Sequence, residues 1–154
     1  MSKTILITGA TSGFGEAMAH VFAAAGNKLI VTGRKESVLA SLKETLVSKH
    51  NVTVHTLCFD VQNKEAVFEA VNSIPAAFKN IDVLINNAGL ALGRDTFQDA
   101  NLDDWETMID TNVKGLLYVS KAVLPLLINN KKGHIINIGS TAGVEVYKEG
   151  NVYC

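Results

Sequence analysis

The sequence predicts an α/β fold built on a doubly wound parallel sheet, and three observations carry that expectation. Short apolar runs recur along the chain, bounded by turn residues, as in strands buried on both faces. Between them lie segments whose apolar residues fall at helical spacing, so strands and helices alternate. Glycine clusters stand where strands should end and helices begin, the first being Thr8-Gly9-Ala10-Thr11-Ser12-Gly13-Phe14-Gly15. Right-handed crossovers make such a sheet doubly wound and put ligands at the carboxyl ends of its strands.

Ile5 to Ile7 reads as the first buried strand. Gly9 allows a tight turn, Gly13 lets backbone approach a pyrophosphate with no Cβ in the way, and Gly15 permits close helix–strand packing. Phe14, Ala17, Met18, Val21, Phe22 and Ala25 then predict one apolar helix face, ending at Gly26-Asn27. The helix N-terminus offers free N–H groups and a positive dipole end to phosphates. An ordinary strand-to-helix turn is the plainer reading; the flanking strand and amphipathic helix favour a dinucleotide.

Lys28 to Thr32 is the second expected strand, followed by a helix over 36–49 with Val38, Leu42, Thr45 and Leu46 on one face. Val52 to Phe59 predicts a third strand, with Cys58 a buried free thiol. A helix over 65–74 places Val67, Ala70, Val71 and Ile74 together, and Pro75 stops it. Ile81 to Ile85 is the fourth strand, closed by Asn86-Asn87-Ala88-Gly89, and 90–100 reads as loop. Asn101 or Asp103 is the expected N-cap of a long helix. Its predicted face is Trp105, Met108, Ile109, Asn112, Val113, Leu116, Leu117 and Ser120, and Pro125 bends its last turns before Asn129-Asn130. His134 to Ile138 is the fifth strand and Gly139 to Gly143 a turn.

The 154 residues suit one domain, 1–154, and a 47% hydrophobic content fits a packed fold. A net charge of −1 gives no electrostatic argument for nucleic acid or an anionic membrane. No stretch is expected to cross a membrane, and the N-terminus enters a strand at once instead of a signal peptide, so the expected location is cytoplasmic. Two cysteines make no disulfide framework, and the four histidines lack ligand spacing, so no metal is expected.

The end of the second strand supplies Arg34-Lys35 and no acid before Glu36. A guanidinium offers two parallel donors, so Arg34 suits a 2′-phosphate and favours NADP over NAD; a solvated basic pair is the alternative. Asp60 either accepts from an adenine amine or caps the next helix. Asn86-Asn87-Ala88-Gly89 is either a turn or a turn that also touches cofactor. Asn112, on an apolar face, should have a buried, hydrogen-bonded amide, structural or catalytic. Ser140 could be a turn residue or cap, and Tyr153 core or surface; together they could both reach a carbonyl oxygen.

These residues stand in the order and at the spacing of the short-chain dehydrogenase/reductase family, which the whole chain resembles. Asn87-Ala88-Gly89-Leu90-Ala91-Leu92-Gly93, Trp105 to Asn112 and His134 to Ser140 are similar to the NADP-dependent 3-hydroxy acid dehydrogenases, which act on serine, allo-threonine and related small 3-hydroxy acids. The resemblance implies a Rossmann-type domain that binds NADP through Gly9, Thr11, Ser12, Gly13, Phe14, Gly15, Arg34, Asp60, Val61, Asn87, Ala88 and Gly89. It implies hydride transfer between the nicotinamide and a small 3-hydroxy acid or other secondary alcohol or ketone. Tyr153 would be the general acid/base, Ser140 would hold the reacting oxygen, and Asn112 would anchor a relay water. It further implies a homo-oligomer, tetramer or dimer, with the long helix in one interface.

The family lowers its tyrosine pKa with a lysine four residues later, a position beyond Cys154; Lys114, Lys121 and Lys148 are not expected to substitute. The sheet ends after its fifth strand, short of the family fold. The expectation is therefore the front portion of a dehydrogenase, whose 154 residues alone lack turnover. The alternative is a truncated, inactive nucleotide-binding or scaffolding protein.

Overall fold

The computed structural model describes residues 2–154. Thr4–Ile7 forms β1, buried along its whole length. It is followed by α1 (Gly13–Ala24), β2 (Lys28–Gly33), α2 (Glu36–His50), β3 (Val54–Cys58), α3 (Lys64–Asn72) and β4 (Val83–Asn86). Then come α4 (Leu102–Ile109), a π-helical stretch Asp110–Gly115, α5 (Leu116–Asn130), β5 (His134–Asn137) and short 3₁₀ turns Thr141–Gly143 and Asn151–Tyr153. The sheet order is β3-β2-β1-β4-β5, and every pairing is parallel. After β3 the chain crosses to the other side of β1, so a crevice opens above the carboxyl ends of β1 and β4.

The two-residue period of the strands divides the core. Leu6, Ile30, Leu57 and Leu84 face Val67 and Val71 of α3 and Val119, Val123 and Leu127 of α5. Ile5, Ile7, Leu29, Val31 and Ile85 face Ala19 and Ala23 of α1 and Leu39, Leu42 and Leu46 of α2. Both faces are therefore covered, which is why these strands are unbroken apolar runs. Asn101 caps α4 by accepting from the Asp103 N–H at 2.9 Å, and Gly26 (φ +76°) turns the chain after α1.

Several expected helix faces are displaced. On α1 the buried positions are Gly15, Ala19 and Ala23, while Phe14 is 79% exposed and Val21 65%. The cause is close approach: a Cβ on Gly15 would run into the Gly9 carbonyl, so only small residues fit against the sheet. Met18 and Phe22 pack at the flank. On α2, Leu39 joins Leu42 and Leu46 in the core, and Val38 and Thr45 turn outward. The long helix buries Met108, Thr111, Gly115, Val119, Val123 and Leu127, leaving Ile109, Val113 and Leu117 exposed. A π-helical turn resets the phase of the apolar residues, and a uniform period of 3.6 cannot anticipate it. Pro125 stands inside α5, which continues to Asn130.

Strand β3 is shorter than expected, and Cys58 at its last position is exposed, because β3 is an edge strand. The helix Leu102–Asn130 reaches a mean hydropathy of 1.2 over an 18-residue window. It is thus long and apolar enough to pass the length-and-composition test for a membrane span, which no stretch was expected to approach. One of its faces is occupied by the core of the sheet.

Candidate active site

The crevice above the sheet is a cleft of about 770 Å³. Its walls include Gly9, Thr11, Ser12, Gly13 and Phe14 from the first turn, and Arg34, Asp60 and Val61 after β2 and β3. Asn87, Ala88 and Gly89 follow from the β4 end, with Asn112, Ser140 and Tyr153 on the far side. Gly15 alone of the expected residues does not line it; it sits beneath, packed on Gly9 and Asn87.

The floor is a hydrogen-bonded clasp around Thr8, which is 2% exposed. The Thr8 Oγ1 accepts from the Asn87 and Ala88 N–H groups, both at 3.0 Å, and donates to the Ile85 carbonyl. Asn87 Nδ2 donates back to the Thr8 and Gly9 carbonyls at 2.9 and 3.1 Å. The β1 and β4 turns are therefore locked together before any ligand arrives. Thr8 was not expected to have this role; a buried hydroxyl directly after a strand was its only signal. Asn86 also proves structural: its Nδ2 donates to Ser120 Oγ and Asn137 Oδ1, each at 2.9 Å, and its own Oδ1 is buried without a partner.

The first turn fits a pyrophosphate. Gly13 has φ +55° and nothing lies within 4 Å of the place a Cβ would occupy. Ser12, the N-cap of α1, makes no side-chain cap bond, so its hydroxyl and the first amides of the helix are open to an anion. Gly33 is held close to Thr11, whose methyl would sit 2.6 Å from an added Cβ. Beyond β2, Arg34 Nη1 lies 3.8 Å from Asp60 Oδ2. The other Asp60 oxygen accepts from the Gln62 N–H at 3.0 Å. Asp60 does not cap α3; Asn63 does, accepting from the Ala66 N–H at 3.0 Å.

Asn112 lies in the π-helical stretch, half-buried as a residue, with both atoms of its amide hydrogen-bonded as expected. Its Oδ1 accepts from the Leu90 N–H at 2.9 Å and its Nδ2 donates to the Leu90 carbonyl at 2.8 Å. The loop after β4 is thereby tied to the long helix. Thr111 beside it, also unforeseen, accepts from Gln62 Nε2 at 2.7 Å and joins that helix to the segment after Asp60. Ser140 is exposed, and its Oγ accepts from the Ala142 N–H at 3.1 Å, so it caps a turn while facing the cleft. Tyr153 is half-buried in a single 3₁₀ turn. One cleft thus joins an anion-ready glycine turn, a cation at one end, and a hydroxyl and a phenol at the other.

Known proteins resemble this chain in sequence and fold. Residues 3–154 match the family model described as short chain dehydrogenase. An NADP-dependent 3-hydroxy acid dehydrogenase of Salmonella typhi is 52% identical over 149 residues, covering 97% of this chain and 58% of that protein. Sulfoacetaldehyde reductase 2 of Chromohalobacter salexigens is 51% identical over 154 residues, covering 99% of this chain and 60% of its own length. A serine dehydrogenase solved in its closed form with NADP+ superposes with a TM-score of 0.89 at 51% identity, covering 97% of this chain and 59% of that one. The chain spans about three-fifths of the length of the curated relatives it matches. By sequence and by fold, the chain belongs to the short-chain dehydrogenase family.

Proposed function

We propose that this chain is the dinucleotide-binding part of an NADP-dependent oxidoreductase that interconverts a small 3-hydroxy acid and its carbonyl form. The observation that carries the reading is the single cleft holding the glycine turn, Arg34, Ser140 and Tyr153 together. The relatives' NADP dependence and 3-hydroxy acid activity support it. Bound NADP supplies the hydride acceptor or donor of the reaction. Gly9, Thr11, Ser12, Gly13, Phe14 and Gly15 form or support the pyrophosphate seat, and Arg34 takes the 2′-phosphate through its guanidinium fork. Asp60 and Val61 flank the adenine, and Asn87, Ala88 and Gly89 line the path toward the nicotinamide.

Tyr153 takes the proton of the substrate hydroxyl in oxidation and returns it in reduction, while the Ser140 hydroxyl hydrogen-bonds the same oxygen. Asn112 keeps the Leu90 loop against the helix and turns the free capacity of its amide toward a relay water. Exposed Ile109, Val113, Leu117, Leu124 and Ile128 along the long helix support a homo-oligomeric state, dimer or tetramer.

The test is Tyr153→Phe in the intact protein. Turnover of a 3-hydroxy acid falls by about a hundredfold or more, the usual contribution of a general acid/base. NADPH affinity, read by nicotinamide fluorescence, stays within about twofold, since no cofactor contact is removed. Unchanged turnover refutes the proton-transfer role. NADPH binding without turnover in the wild type leaves a nucleotide-binding protein.

A further inference from the structure

A 3-hydroxy acid carries a carboxylate two carbons from the reacting hydroxyl, and that charge must meet a cation or remain in water. The one cationic side chain among the cleft-lining residues is Arg34, which sits with Asp60 at the adenosine end. At the hydroxyl end, the loop after β4 contributes Leu90 and Ala91 to the wall and then turns at Gly93 (φ +69°) to present Arg94.

Arg94 lies over the ring of Tyr147, its Cζ 5.4 Å from the ring centroid. Apart from that ring the guanidinium donates to no described residue, so its N–H fork, the part that matches a carboxylate, is free. No described carboxylate lies within ion-pair distance of Arg94, although Asp95 and Asp104 both stand against Gly93. Lys148, the cation next to Tyr147, is paired with Glu149 at 3.6 Å.

The platform that holds Arg94 is anchored on three sides. Leu90 is bonded to Asn112. The Asp95 carbonyl accepts from Asn151 Nδ2 at 2.7 Å, two residues before Tyr153. Phe97 packs on Trp105 with ring centroids 4.8 Å apart. The loop that carries Arg94 and the segment that carries Tyr153 are therefore fastened to each other.

We infer that Arg94, stacked on Tyr147, is the specificity residue that receives the substrate carboxylate. The inference rests on the proposed 3-hydroxy acid oxidation and adds the group that selects an acid over a neutral alcohol. A charge-assisted fork of this kind is worth about ten- to a hundredfold in binding.

The experiment compares oxidation of 3-hydroxypropionate and of its methyl ester, at saturating NADP, by the intact wild type, Arg94→Gln and Arg94→Lys. Arg94→Gln raises KM for the acid about ten- to a hundredfold, leaves kcat within a few-fold, and hardly alters the ester. Arg94→Lys falls between, keeping the charge without the fork. Equal change for acid and ester, or no change for either, overturns the role of Arg94 and leaves the oxidoreductase reading standing. A wild type that oxidises neither compound overturns both.

Discussion

At the glycine-rich end of the cleft, Thr8, Gly9, Asn87 and Ala88 hold one another through buried hydrogen bonds between segments nearly eighty residues apart. At the hydroxyl end, Ser140 caps a three-residue turn, and Val144, Val146 and Val152 are exposed around it. The first end takes its shape from the centre of the sheet, where β1 and β4 pair residue by residue. The second depends on β5, an edge strand, and on loops fastened by Asn151 and Arg94. The difference teaches that the shape of the glycine-rich turn is preset in this chain by the sheet itself. The groups proposed for chemistry are positioned by a small number of surface contacts.

The sharpest way to break this comparison is to add the same atoms to a glycine at each end. In Gly15→Val the new side chain meets the Gly9 carbonyl and the Asn87 amide, both backbone or locked groups. Overpacking of this kind costs about 1–3 kcal/mol. Each kcal/mol lowers Tm by about 2–4 °C in a domain of this length. In Gly139→Val nothing lies within 4 Å of the added Cβ, so Tm stays within about 1 °C. Calorimetric scans of the two variants check this, and equal losses would show that the two ends are equally packed.

The same contrast explains what the sequence made legible. Strand identity came through because short apolar runs bounded by turn residues alternate with helical patterns, and even β5, none of whose residues is fully buried, keeps such a run. Most cleft residues followed from the carboxyl-end rule, while Asn112 came from its place on a helix face and Tyr153 from its pairing with Ser140. What escaped were features set by contact between distant segments. The small-residue face of α1 follows from Gly15 lying on Gly9 and Asn87, a contact invisible along the chain. The π-helical turn at Asp110–Gly115 changes the helix phase without any proline or glycine pair to announce it. The Asn112 amide is hydrogen-bonded as expected, but its partner, Leu90, lies in a segment read only as loop. Cys58 was expected to be buried because its alternation with neighbours was clear; its place on an edge strand was not.

A smaller effect, confined to function, is expected from Arg34→Asp. The Arg34–Asp60 pair spans 3.8 Å and the arginine is 66% exposed, so stability barely depends on it. Binding should depend on it strongly. Loss of the guanidinium from a 2′-phosphate weakens NADPH by about ten- to a hundredfold, with much less change for NADH. Titrations of both cofactors, with Tm as control, read the difference. Equal losses remove Arg34 from the 2′-phosphate. A fall in Tm comparable to that of Gly15→Val would make Arg34 part of the locked frame instead.

The smallest effect expected is a pH dependence inside the preset half. His55, on β3, lies against Phe78 with ring centroids 5.4 Å apart, and its Nε2 is buried without a partner. Burial, and secondly the charge of Lys43, push its pKa below the ordinary value of 6.5. The unfolded chain therefore binds a proton that the folded chain refuses. The stability tied to neutral His55 is present above pH 6.5 and is lost as pH falls through the lowered folded value. Urea midpoints of the wild type should decline below pH 6.5, and those of His55→Leu should decline less. The two proteins differ only at position 55, so the difference between the two curves isolates it. Parallel curves would mean that the ring opens to solvent and that β3 is less firmly packed than the strands between it and the cleft.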